Sequence, residues 1–144
     1  MADRYEIRVP AIEVRQGERS IYCFAVDGKH LLDFTAVSRV RRNEQGALAG
    51  YQRPEVMNHI RAIRRYLESP EALLPNAVVL AFDDHVQFVP ARRRSPVSYS
   101  AMGELVIPVD ETLDDSEKPA LLVDGQQRVA AIRDADLAEF PLLP

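Results

Sequence analysis

Hydrophobic and polar positions change their period several times along the chain, and each change marks an element. Residues 5–9 alternate, with Tyr5, Ile7 and Val9 set against Glu6 and Arg8, and read as a short strand ended by Pro10. Ile12 and Val14 continue to alternate with charged neighbours. Residues 20–26 are rich in β-forming types and run into Asp27-Gly28, a strong turn dipeptide. Residues 29–34 are therefore expected to return as the second arm of a hairpin. Residues 36–40 fit either a strand or a short turn, and the polar stretch 43–50, with two glycines, fits a loop.

The period then becomes helical. Val56, Ile60, Ile63 and Leu67 recur at spacings of four, three and four, which puts them on one face. Pro54 suits the first helical position because its missing N–H would be unpaired there anyway. Ser69-Pro70 ends the helix, since a residue before proline is pushed out of the α region. The spacing predicts a helix over 54–68, and burying its four aliphatic side chains stabilises by about 6–12 kcal/mol before entropy is subtracted.

Residues 74–82 are almost continuously apolar, as in a strand buried on both faces. Residues 86–89 would pair beside it across the Asp83-Asp84 turn. A loop over 91–101, a strand over 104–109 and an acidic loop over 110–119 follow. Residues 120–123 form a short apolar strand that enters Asp124-Gly125, residues 126–134 a helix, and residues 139–143 a last strand. The expected fold is α/β (α+β), a mixed sheet rich in strands with two main helices.

Composition narrows the function classes. The 144 residues, 47% hydrophobic and 28% charged, suit one globular domain. A single cysteine, Cys23, excludes an internal disulfide and a cysteine-based zinc site, and between Tyr22 and Phe24 it reads as a buried thiol. No apolar stretch approaches a membrane span. The charged first eight residues lack the apolar core of a secretory signal, so the expected location is cytoplasmic, away from membranes.

A net charge of −4 excludes a uniformly basic protein, but a nucleic-acid footprint is local. Arginines cluster three times: Arg39, Arg41 and Arg42; Arg61, Arg64 and Arg65; Arg92, Arg93 and Arg94. Each cluster reads as a DNA contact or as a solvated face. His30, His59 and His85 have no paired metal spacing, so no metal site is expected from them; His59, on the first helix, is the one to watch. The chain has no Gly-x-x-x-x-Gly-Lys-Ser/Thr phosphate loop, and Ser95, Ser98 and Ser100 lack the glycines of a nucleophile elbow.

One arrangement carries chemistry: strand, Asp124-Gly125 turn, helix. Gly125 permits a tight turn and close approach of a ligand to the backbone. The first amides of the following helix have no intrahelical partner and face outward with the positive end of the dipole, which suits an anion. Arg128 in the first turn can grip phosphate oxygens at two points, and Gln126 and Gln127 add amide donors. Asp124 can hold a magnesium ion or orient a water. Alternatively, Asp124 simply caps the helix.

Asp124-Gly125-Gln126-Gln127-Arg128 resembles the signature of the DGQHR-domain family, with Gln127 where that family often has histidine. The family includes DndB, of DNA phosphorothioation systems, and DpdB, of systems that place deazaguanine bases in DNA. Residues 50–56, His59-Ile60 and residues 63–67 resemble a helix of the same family, and residues 75–79 its following strand. Residues 5–12 and 24–28 are most similar to DpdB.

The order of parts also resembles the ParB/sulfiredoxin-like fold, through Arg53, the helix over 54–68, a strand over 77–81 and the turn and helix within 121–133. These likenesses imply a nucleotide held between Arg53 and Arg128, bound by Gly125, Gln126 and Gln127, with Asp124 in a catalytic role. They imply ATP or another nucleoside triphosphate with a magnesium ion, and DNA and other proteins of a DNA-modification system as partners. The implied function is an NTP-binding, ATP-hydrolysing component of such a bacterial system. The alternative is a DNA-binding transcriptional regulator or a nuclease-associated module that uses the fold without turnover. Relatives of this kind are usually longer, so the chain reads as one DGQHR-type domain over 1–144, complete in itself or the N-terminal piece of a longer protein.

Overall fold

The alternation that begins at Tyr5 does not stop at Pro10. In the computed structural model, which describes residues 4–37 and 54–143, the first strand runs unbroken over Arg4–Gln16 (β1). The others are β2 (Arg19–Phe24), β3 (Val26–Asp27), β4 (Thr35–Ala36), β5 (Val79–Phe82), β6 (Gln87–Pro90), β7 (Ser100–Asp110), β8 (Ala120–Asp124) and β9 (Pro141–Leu142). Two α-helices, α1 (Pro54–Leu67) and α2 (Gln126–Asp134), complete an α+β fold in which strands predominate.

Pro10 is accommodated because β2 pairs with β1 only from Ala11 onward. At Pro10 the strand therefore has a neighbour on one side only, β7, and a missing donor costs no ladder bond on the other. The hairpin turn lies at Gly17-Glu18, where Gly17 takes a φ of 63°. It is not at Asp27-Gly28, as the dipeptide suggested. The Asp27 carboxylate instead accepts the amides of Lys29 and Phe140, both at 3.0 Å. The chain then winds into a 3-10 turn at Leu31–Asp33 rather than a returning strand.

The predicted single mixed sheet is three sheets. The largest has the order β2-β1-β7-β6 and is antiparallel throughout. A second pairs β3 with β9. Only the third is mixed: β8 lies between β4, parallel to it, and β5, antiparallel. The apolar run 74–82 is thus an edge strand and its approach, not a strand buried on both faces; Val79 is 47% exposed while Val78 before it is fully buried. The Asp83-Asp84 turn sends β6 into the large sheet beside β7, not back along β5.

The inner face of the large sheet supplies Leu105, Ile107, Val109 and Phe24 to the core. Phe24 stacks on Phe82 of β5 at 5.9 Å between ring centroids, which ties two sheets together. Cys23 points the other way and is exposed, because its neighbours Tyr22 and Phe24 take the inward positions.

The apolar stripe of α1 faces the core, as its spacing predicts. Ile60 and Leu67 of α1 are buried, Val56 and Ile63 partly so, and Arg61, Arg64 and Arg65 are exposed. Ile60 belongs to the same core cluster as Val129, Ala130, Ala131 and Ile132 of α2, and α1 lies against α2. Among the described residues no helix is long and apolar enough to cross a membrane. Arg39, Arg41, Arg42, the predicted loop 43–50 and Arg53 lie outside the described residues.

Candidate functional site

Strand β8 alternates inward and outward until its last two residues, Val123 and Asp124, which are both exposed. The chain then turns on Gly125 into α2. Gly125 holds φ 101° and ψ 18°, a left-handed conformation that favours glycine. A Cβ there would also lie 2.5 Å from Val78 Cγ1. Val78 is held in place by its amide, which donates to the Leu143 carbonyl at 2.8 Å. The C-terminal segment thus sets the wall against which the turn is packed.

Gly125, not Asp124, occupies the cap position of α2. The helix ladder starts with the Val129 amide donating to the Gly125 carbonyl at 3.0 Å. The amides of Gln126, Gln127 and Arg128 precede that first bond and have no intrahelical acceptor. They stand beside a cleft of about 550 Å³. Residues 124–128 form one side of it; His59, Ala62, Ile63 and Tyr66 of α1, with Leu74, form the other. The Tyr66 hydroxyl accepts from the Leu73 amide at 2.9 Å and donates to the Leu73 carbonyl at 3.0 Å, which fixes that far wall.

The motif side chains are less free than their spacing suggested. Gln126 folds back and donates to the Val123 carbonyl at 3.1 Å. Arg128 Nη1 donates to the carbonyls of Asn76 and Ala77, at 3.1 and 3.2 Å. Its Nη2 lies 3.6 Å from Asp124 Oδ2. The Arg128 side chain is 19% exposed and that of Asp124 is 70% exposed. Arg128 is therefore already a clamp between the motif and the approach to β5. The guanidinium has five N–H donors; the carbonyls take the two on Nη1, Nη2 faces Asp124, and Nε has no acceptor among the described residues.

The far end of α2 is pinned as well. Lys29 Nζ donates to the carbonyls of Arg133, at 3.2 Å, and Ala135, a cation placed at a helix C-terminus. Glu68 Oε2 accepts the Asp136 amide at 2.7 Å and Arg64 Nε at 3.4 Å. The amide, more than the guanidinium, holds the Glu68 carboxyl below its ordinary range. With both ends fixed, the open amides of α2 keep one direction.

The structure brings together Asp124, Gly125, Gln126, Gln127 and Arg128, and adds His59, whose position on α1 was noted in the sequence. Among the described residues, it does not bring the clusters at Arg61, Arg64 and Arg65 or at Arg92, Arg93 and Arg94 to the cleft lining. Arg61 donates to Asn58 at 3.0 Å and Arg64 serves Glu68. Arg92, Arg93 and Arg94 are exposed between β6 and β7, and none has an ion pair among the described residues.

One grouping was missed. Asp83, Asp84 and His85 place a ligand atom each within 4.8 Å of one another on an exposed turn. The hydrogen bond and charge of Asp83 raise the His85 pKa, and the Asp83 carboxylate accepts the His85 amide at 2.9 Å. Turn geometry accounts for that cluster.

Comparison with known proteins adds one finding: the family model DndB, described as DNA-sulfur modification-associated, matches residues 9–143. No curated protein and no solved structure matches the chain.

Proposed function

The chain belongs to the DndB family of DNA-sulfur modification-associated proteins, and on that premise we propose that it binds ATP or another nucleoside triphosphate on the turn 124–128 and hydrolyses it in a DNA phosphorothioation system. The observation that carries this reading is the set of open amides of Gln126, Gln127 and Arg128. They are aimed by a doubly constrained Gly125 and stand beside a cleft that all five motif residues line.

The helix end alone is too weak for the task. A helix N-terminus supplies about 0.3–1 kcal/mol, up to ~2 when partly buried. Micromolar binding needs ~8 kcal/mol. The reading therefore assigns phosphate contacts to the remaining donors of Arg128 and to Arg53, which immediately precedes α1 in the chain.

Asp124 has a second role in this proposal. A carboxylate at ~4 Å from a phosphate charge costs about 4 kcal/mol at an effective dielectric near 20. Arg128 offsets part of that repulsion in the free protein. One exposed carboxylate beside phosphates is also a common donor set for magnesium, which would neutralise charge on the phosphate oxygens when bound. The Asp124→Asn variant keeps the shape and removes the charge. It is expected to melt as wild type does but to lose magnesium-dependent hydrolysis. Full turnover in that variant would remove Asp124 from the chemistry.

A second reading, a DNA-binding regulator without turnover, is favoured by one contact. Arg128 is engaged by the carbonyls of Asn76 and Ala77, as a structural arginine would be. Salt-sensitive DNA binding without any nucleotide hydrolysis would select this reading.

A further inference from the structure

The outward face of the four-stranded sheet is divided in two. Toward one end Arg4 pairs with Asp110, and Arg8 with Glu6 and Glu104, as on an ordinary solvated sheet face. Toward the other end the face is apolar. Ile12 of β1 is in register with Cys23 of β2 on one side and Met102 of β7 on the other, so the three form a row across the strands. All three are exposed, Ile12 by 46% and Met102 by 65%. An open groove of about 770 Å³ is lined by this row together with Val89 and Arg92.

Two charged side chains line the groove, Arg92 and Glu104. Glu104 is paired with Arg8 at 3.0 Å. Arg92 has no ion pair among the described residues, and neither have Arg93 and Arg94 beside it in the chain. The groove thus offers apolar contact and one uncompensated cation, which suits a ligand that is anionic and apolar in the same unit. A phosphate oxygen does not meet that demand, because it loses its water against an apolar wall and gains no hydrogen bond there. Sulfur does. It is soft, polarisable and a weak hydrogen-bond acceptor, so it gives up less on leaving water and gains contact with aliphatic and thioether groups.

We propose that this groove binds DNA in which sulfur replaces one non-bridging phosphate oxygen. The sulfur lies on the row of Cys23, Ile12 and Met102, the remaining oxygen of the same group on Arg92, and neighbouring phosphates on Arg93 and Arg94. Such a backbone is the product of phosphorothioation, and the chain belongs to a family associated with DNA-sulfur modification. The site recognises DNA that is already modified. It shares no lining residue with the motif cleft, so it does not rest on the nucleotide-binding reading.

The test measures fluorescence anisotropy of the full chain with a labelled duplex, unmodified or carrying one phosphorothioate. The two isomers at phosphorus are titrated separately, since only one can put sulfur on the row while its oxygen meets Arg92. The expected result is that one isomer binds about three- to fivefold more tightly than the unmodified duplex, the effect of burying one methylene-sized apolar group. Met102→Gln changes an exposed side chain and should melt as wild type does. It is expected to abolish the preference and leave the affinity for unmodified duplex unchanged. Arg92→Ala should weaken every duplex and flatten the salt dependence.

Equal affinity of wild type for the unmodified duplex and both isomers overturns the proposal. A preference for sulfur that Met102→Gln leaves intact overturns it too, since sulfur would then be read elsewhere. Absence of binding to any duplex also overturns it, and leaves the nucleotide-binding reading standing.

Discussion

At Gly125 two independent constraints coincide. Its φ of 101° disfavours any side chain, and the Cβ of alanine would lie 2.5 Å from a Val78 side chain that is fully buried. Gly17 has only the first constraint: its φ is 63° and nothing lies within 4 Å of an added Cβ. Strained backbone of this kind costs about 1–3 kcal/mol. Gly17→Ala should stay within that range, and Gly125→Ala should exceed it and also disturb the cleft. Chemical denaturation of both variants checks the order; equal losses would mean that Val78 yields freely. At this scale Asp124-Gly125 was legible as a turn into a helix, because the Asp-Gly dipeptide between an apolar strand and a helical run has local causes. The commitment of Arg128 to Asn76 and Ala77 was not legible, because those carbonyls arrive from a distant part of the chain. Nor was the identity of the cap, which depends on a left-handed Gly125 that composition alone does not show.

The two helices form the frame of the site, and Glu68 is a link between their C-terminal ends. Its carboxylate accepts the Asp136 amide just beyond α2 while Arg64 of α1 donates to the same oxygen. The folded protein holds this carboxyl below its ordinary value of 4.5. A depressed folded pKa gives stability that is fully present above the unfolded value and lost as pH falls through the folded one. Wild type should therefore be more stable than Glu68→Gln near neutrality, and the gap should close as pH drops below 4.5. Melting curves across that interval check it; a gap that stays constant with pH would assign Glu68 no electrostatic part. Both helices were legible because a stripe such as Val56, Ile60, Ile63 and Leu67 is a property of one segment. Strand partners were less so. Pro10 survives inside β1 only because β2 starts pairing at Ala11, and β6 joins β7 instead of β5, facts set by other strands and not by the residues themselves.

Across the whole molecule a net charge of −4 coexists with concentrated arginine. Arg92, Arg93 and Arg94 sit on a connection between β6 and β7 with no ion pair among the described residues, so their charge is available to a polyanion. Each phosphate neutralised on duplex DNA contributes about 0.9 to the log–log salt slope. Replacing the three together with alanine should flatten the slope by up to about 2.7 if all three touch phosphate; an unchanged slope would leave them as solvated surface. The central claim, that the turn 124–128 is where this DndB-family chain holds a nucleotide, is tested most directly by amide chemical shifts. With ¹⁵N-labelled protein and ATP plus magnesium, the backbone amides of Gly125, Gln126, Gln127 and Arg128 are predicted to shift together and saturably, and to do so less in Arg128→Ala at the same ATP concentration. Saturable binding that leaves those four amides unmoved would contradict the account.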